Sequence, residues 1–345
     1  LVQNIMSSVI QPAFGYLTDK RSMPKLLPVC AAMAGAGFAF VGWVSTYTLL
    51  LCTVVTISLA SATYHPQASK TVNFLSDDSN RTQNMGIFSL GGNAGMAVGS
   101  ILMTFLMSLD GGIHNTVYFV LPGLLVFGLM TKSMGAYERA NVEHAAQQAQ
   151  KVAKGTAEKL SYFGLFLILF YIFMRSSIHV GISTYMPIFY MKFRNFEPVF
   201  ASSLVSGFLL GGVAGTYVGS VLSDRLGARK ILLGSIACSI PAIYAVTVAT
   251  TPWLAMAAVV TAGFCIIGSF ATTIILAQCM MPNNVGMASG LTIGFSVGLG
   301  GFGVTILGYL ADNYGLPFVM QLLVWLPIVA ALVATRIPIP KDLQK

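Results

Sequence analysis

The stretch Gly15-Tyr-Leu-Thr-Asp19-Lys20-Arg21-Ser-Met-Pro-Lys25 returns in altered form as Gly219-Ser-Val-Leu-Ser-Asp224-Arg225-Leu-Gly227-Ala-Arg229-Lys230. Each version closes an apolar run with a glycine, sets an aspartate about one turn on and follows it with clustered cations. Asp19 and Asp224 are 205 residues apart, and Gly86 and Gly290 are 204 apart, so one register relates the two halves. The chain reads as an internal duplication with one such loop per half. Parallel repeats of membrane helices are one way in which secondary transporters are built.

Composition points to the same solvent. Of 345 residues, 55% are hydrophobic and only 9% charged, with mean hydropathy +0.77, against roughly 25% charged in ordinary soluble domains. So few charges cannot cover a soluble surface of this size, and the solvent must be largely lipid. The net charge of +8 does not indicate nucleic acid, because its distribution follows the positive-inside rule. Cys30, Cys52, Cys238, Cys265 and Cys279 fall inside apolar runs without metal-ligand spacing and read as packing residues. The sequence carries no phosphate-binding loop, nucleophile elbow or His/Asp metal spacing. A membrane enzyme is therefore disfavoured, and neither a metal nor a cofactor is expected.

A span needs about 20 mostly apolar residues, and that rule gives eleven: roughly 1–18, 26–44, 49–75, 85–109, 115–134, 161–191, 198–222, 231–250, 253–280, 285–311 and 316–336. Equivalence of the halves predicts a further span before Leu1, twelve in all. The expected fold is an all-α integral membrane protein of two pseudo-symmetric six-helix bundles. Residues 1–134 would hold helices 2–6, 135–160 a polar linker with some helix, and 161–345 helices 7–12. With both motif loops in the cytoplasm, 15 of the 19 Lys and Arg lie on that side. Lys192 and Arg194 lie outside, and Lys70 and Arg175 lie within spans. The asymmetry sets the expected orientation.

Three spans carry glycine every fourth residue: Gly91, Gly95 and Gly99; Gly207, Gly211, Gly215 and Gly219; and Gly286, Gly290, Gly294 and Gly298. That spacing stacks them on one helix face, where two backbones can approach closely. Tight packing is expected of all three, and a moving seam between the halves is the functional reading.

Polar residues inside the spans are the candidate site. Arg175 lies about 20 Å from either end of its span at 1.5 Å per residue, too deep to snorkel readily. It is either an anchor for an anionic substrate or a member of a structural ion pair. His179 follows at i+4 on the same face. His65 lies near midplane beside Pro66, which removes a backbone donor, and it reads either as functional or as a packing histidine. Lys70 can snorkel. Asn93 and Gln278 either orient substrate or bridge helices. Asp19 and Asp224 are candidates to pair with the nearby cations Lys20, Arg21, Arg225 and Arg229 and with a helix N-terminus, latching the cytoplasmic side.

The duplicated loop resembles motif A of the major facilitator superfamily, closely in its second copy, while Ser22 and Met23 depart from the pattern in the first. Tyr64-His65-Pro66-Gln67-Ala68-Ser69-Lys70 and Ile87-Phe88-Ser89-Leu90-Gly91-Gly92-Asn93-Ala94-Gly95 resemble signatures of the fosmidomycin resistance protein family. Gly286-Met-Ala-Ser-Gly290-Leu-Thr-Ile-Gly294 and Gly300-Gly301 fit that family's eleventh helix. The resemblance implies a proton-driven efflux carrier of the bacterial inner membrane, monomeric, exporting a phosphonate antibiotic or similar small molecule. Gln67 and Lys70 replace an acid and an arginine of the signature, and Cys279 stands where relatives carry a glutamate. No acid remains inside a span, which leaves His65 and His179 as proton carriers and Gln67 as a neutral substrate contact. It also keeps open an importer or facilitator of an organic anion.

Overall fold

The computed structural model describes residues 2–21, 23–153, 161–340 and 343–344. Among them there is no strand. In lipid every backbone N–H and C=O must be satisfied within the segment, and helices do this locally.

The first run comprises α1 (Val2–Lys20), α2 (Leu26–Val41), α3 (Tyr47–Phe74) and α4 (Arg81–Ser108). A 3-10 stretch, Gly112–Phe119, then leads into α5 (Val120–Lys132) and the polar α6 (Met134–Ala153). The second run comprises α7 (Tyr162–Arg194), α8 (Pro198–Leu226), α9 (Ala228–Val248), α10 (Pro252–Ile267), α11 (Phe270–Met280), α12 (Val285–Tyr314) and α13 (Leu316–Arg336). Among the described residues, nine helical stretches are long and apolar enough to cross a bilayer, and α2 is a shorter apolar helix. The expected linker is helical as α6 over most of its length, and its part from 154 to 160 lies outside the described residues.

Local chemistry sets many of the ends. The hydroxyl of Thr46 accepts from Leu49 N at the start of α3, and that of Ser161 from Gly164 N at the start of α7, each satisfying an amide with no partner in its own helix. Prolines open α8, α10 and α13, where the missing N–H costs nothing. Asn195 stops α7 with φ 54°. Pro66 lies inside α3, which runs through it as one helix.

The chain forms two compact units. One takes Leu1–Asp77, Gly91–Leu160 and Met281–Gly294; the other takes Asp78–Leu90, Ser161–Met280 and Phe295–Lys345. The beginnings of α4 and α12 therefore belong with helices from the opposite half of the sequence. In the first unit α1 and α2 pack on α3, and α2 crosses α5 where Gly35 and Gly123 meet backbone to backbone. In the second, α8 packs along α10, and α13 packs on α7 and α9.

The three glycine ladders have different fates. A Cβ at Gly211, Gly215 or Gly219 would collide with the carbonyl oxygens of Val260, Phe264 and Gly268, and one at Gly207 would be 2.5 Å from Met256 Sδ. That face is taken by the adjacent helix span of its own unit, so it is no seam between sequence halves. Gly290 and Gly294 do meet the other half: a Cβ there would lie 2.5 Å from Gln11 O and 2.7 Å from Ser8 O. At Gly91, Gly95 and Gly99 a Cβ would meet nothing within 4 Å among the described residues of their own unit. Spacing aligns glycines on a face without specifying the neighbour for it.

Overpacking a close helix crossing costs about 1–3 kcal/mol, whereas Gly to Ala on an open helix face gains about 0.5–1 kcal/mol. Gly211→Ala is therefore expected to lower the thermal midpoint of the detergent-solubilised protein by several degrees, and Gly95→Ala to leave it unchanged or raise it. Equal midpoints for the two variants would contradict the packing described.

Candidate functional site

The first amides of a helix have no partner within it. At α12 they are met by Asp19, whose Oδ1 accepts from Gly286 N and Oδ2 from Met287 N, both at 2.9 Å. At α4 they are met by Asp224, whose Oδ1 accepts from Thr82 N at 3.2 Å and Oδ2 from Gln83 N at 2.7 Å. Thr82 and Gln83 stand 204 residues before Gly286 and Met287. The two contacts are thus the same contact in the two repeats. Both carboxylates sit at the positive end of a helix dipole. Small residues allow the approach: a Cβ at Gly15 would collide with Gly286 O, and one at Gly86 with the Ser220 hydroxyl.

The counter-charge of Asp19 is not one of the motif cations. Lys70, on α3, brings Nζ to 3.0 Å from Asp19 Oδ1 and donates to Thr18 O at 2.9 Å, and both side chains of the pair are over nine-tenths buried. Lys70 does not snorkel. Lys20 instead lies over the Tyr16 ring at 4.6 Å, and Arg21 and Arg225 are exposed. Arg229 donates to Thr335 O at 2.6 Å and Ile337 O at 3.0 Å, fastening α9 to the end of α13. The expected pairing of Asp19 with Lys20 or Arg21 is therefore corrected. Those cations follow Asp19 around the helix and miss the face it presents to α12.

The second unit holds the deep cation. Arg175 is 3% exposed. Its Nη2 reaches Ser296 Oγ at 3.4 Å, its guanidinium carbon lies 5.0 Å from the centre of the Phe270 ring, and its Nε has no hydrogen-bond partner among the described residues. Among the described residues the ion pairs are Lys70–Asp19 and Arg81–Asp78; Arg175 belongs to neither. Phe270 opens α11, after Gly268 and Ser269 interrupt the helix that began as α10. One turn before Arg175, Tyr171 pins this break: its hydroxyl donates to Leu232 O at 3.2 Å and accepts from Ser269 Oγ at 2.9 Å. A permanent cation therefore lies against the aromatic face of the residue that opens α11. His179, one turn further on, stacks on Phe208 with centroids 5.3 Å apart, and its Nε2 is buried without a partner.

Arg175, His179 and Gln278 belong to the second unit; Gln278 is buried on α11. His65, Gln67 and Asn93 belong to the first. There His65 meets Tyr64 edge-on at 5.9 Å, Gln67 is buried with Oε1 unpartnered, and Asn93 is half-buried on α4. Cys279 receives Arg81 Nη1 at 3.8 Å. Sequence reasoning missed Lys70 as the partner of Asp19, and Phe270 and Ser296 as neighbours of Arg175. Only the depth of Lys70 in an apolar span hinted at a partner, and nothing in the sequence pointed to Phe270 or Ser296.

The family model of the Major Facilitator Superfamily matches residues 2–292. An uncharacterised MFS-type transporter of Bacillus subtilis, YfnC, is 32% identical over 95% of this chain and 80% of its own length. The fosmidomycin resistance protein of Escherichia coli is 26% identical over 96% of this chain and 81% of its own. Among solved structures, the Escherichia coli fucose:proton symporter superposes with TM-score 0.75 at 13% identity, covering 98% of this chain and 90% of that one. The human organic anion transporter superposes at 0.76 with 11% identity, covering 96% and 82%.

Removing one member of a buried ion pair leaves the other uncompensated and costs about 3–5 kcal/mol. Asp19→Asn is expected to destabilise the protein by that order, and adding Lys70→Met to recover a large part of the loss. Denaturation of the single and double variants checks this, and additive losses would mean that the two charges do not interact.

Proposed function

The chain belongs to the major facilitator superfamily and is a multi-pass transporter of the bacterial inner-membrane type; from that premise we propose that it exports a small phosphonate-like anion in exchange for protons. The observation that carries the reading is Arg175, almost wholly buried without a carboxylate partner among the described residues. A guanidinium at the centre of a spanning helix costs about 2.5–3.5 kcal/mol on insertion scales. A planar fork of donors suits a phosphonate or carboxylate head. The name of the 26%-identical Escherichia coli relative supports the phosphonate class.

In this reading Arg175 anchors the anion, and Gln278, Asn93 and Gln67 supply neutral hydrogen bonds. His65 and His179 carry protons, because no acid occupies the interior of a span and imidazole titrates in the physiological range. Asp19 and Asp224 act as cytoplasmic latches whose amide bonds are made and broken as the carrier alternates, and the protein works as a monomer. The alternative is an importer or facilitator of a small organic anion. Gln67 and Cys279, neutral where the resemblance expects acids, favour it.

Uptake into everted vesicles distinguishes the two: a proton-coupled exporter accumulates the anion only while the proton gradient is present, whereas a facilitator merely equilibrates it with or without the gradient. In binding assays with purified protein, Arg175→Gln should weaken a phosphonate at least tenfold, about 1.4 kcal/mol, while the protein stays folded and monodisperse. Equal binding by wild type and variant would remove Arg175 from the substrate site.

A further inference from the structure

The connecting helix α6 is polar and mostly exposed. One stripe of it, Tyr137, Ala140, Asn141 and His144, is buried or half-buried, with the i, i+3, i+4, i+7 spacing of a docked helical face. That stripe packs on α3. The imidazole of His144 stacks on Phe74, the last residue of α3, with centroids 3.8 Å apart and planes 14° from parallel. The Phe74 ring lies 5.5 Å from Lys70 Nζ, one helical turn earlier. Lys70 in turn is held on Asp19, and Asp19 on the first amides of α12. A second contact runs beside it: Glu138 of α6 lines a groove of about 450 Å³ with Met23, Pro24, Lys25, Leu26 and Val29, the loop that follows Asp19 and the start of α2.

We propose that α6 is a positioning element of the Asp19 cap: the His144–Phe74 stack holds Lys70 on Asp19, so the segment joining the two halves sets how firmly α12 is gripped. The inference rests on the reading of Asp19 as a latch. The physical need is specific to lysine. Its ammonium is a point charge on a flexible four-carbon stem with no planar fork to fix its direction, and ordering such a side chain costs rotamer entropy. An aromatic ring beside Nζ narrows that freedom and adds cation–π attraction. The ring is itself at a helix end, where the chain frays, and the imidazole stack from α6 keeps it in place. In this inference His144 acts on the cap through Phe74 and Lys70.

Hydrogen–deuterium exchange of the peptide carrying Gly286 and Met287 reads the cap directly, because local opening frees those amides. In the full chain in lipid nanodiscs, Asp19→Asn should speed their exchange strongly, which tests the latch itself. His144→Ala should speed it about threefold or more. His144→Phe, which keeps a ring to stack, should restore the wild-type rate, and in a Lys70→Met background His144→Ala should add nothing. If Asp19→Asn speeds exchange and His144→Ala does not, α6 is only a tether and the inference falls while the latch stands. An effect of His144→Ala undiminished without Lys70 also overturns it. If Asp19→Asn leaves exchange unchanged, the latch reading fails and the inference with it.

Discussion

A helix that begins against protein rather than in water must find acceptors for its first amide groups, and at α4 and α12 those acceptors are aspartate side chains from elsewhere in the sequence. Asp19 from the first half caps α12 in the second; Asp224 from the second half caps α4 in the first. Much else in the sequence follows from keeping that contact. Gly15 lets α1 approach the backbone at Gly286, and Gly86 leaves room for the Ser220 side chain. The assignment of the starts of α4 and α12 to units on the far side of the duplication is a consequence of the same crossing. A carboxylate receiving two amide bonds at a helix N-terminus is a charge-assisted arrangement, strong enough to hold two elements and discrete enough to be broken whole.

Burial of charge divides the remaining polar residues. Lys70 and Asp19 are both nearly inaccessible, but each answers the other, and the pair is further tied to Thr18 O and the amides of α12. Arg175 is buried as deeply and, among the described residues, meets a hydroxyl and an aromatic face but no carboxylate. In a low dielectric an uncompensated cation is costly. A structural site would be expected to carry its own counter-charge, whereas a site for an anionic ligand receives its counter-charge with the ligand.

The glycine ladders show how one sequence signal can have three meanings. Spacing of four places glycines in line along a helix, and this holds for all three ladders. It says nothing about which helix lies opposite. The ladder from Gly207 to Gly219 receives the α10 span and the turn after it, Gly290 and Gly294 receive α1, and Gly91, Gly95 and Gly99 receive no neighbour at Cβ distance among the described residues of their own unit. The motif cations teach the same lesson: Lys20 and Arg21 adjoin Asp19 in sequence, while Lys70, fifty-one residues on, is its partner.

Composition, hydropathy and the 205-residue repeat determine by themselves that the chain is helical, membrane-bound and duplicated, because lipid admits few other solutions for the backbone and the period survives in the order of residues. They also mark Arg175, His65 and the two aspartates as unusual, since depth in an apolar run is countable along a helix. Only the tertiary structure decides what each of these meets. That Asp19 belongs to Gly286 and Lys70, that Arg175 lies against the start of α11, and that His144 rests on Phe74 all depend on the rotation of one helix against another. Packing sets that rotation through many small contacts summed over whole faces, and no local pattern of residues encodes such a sum.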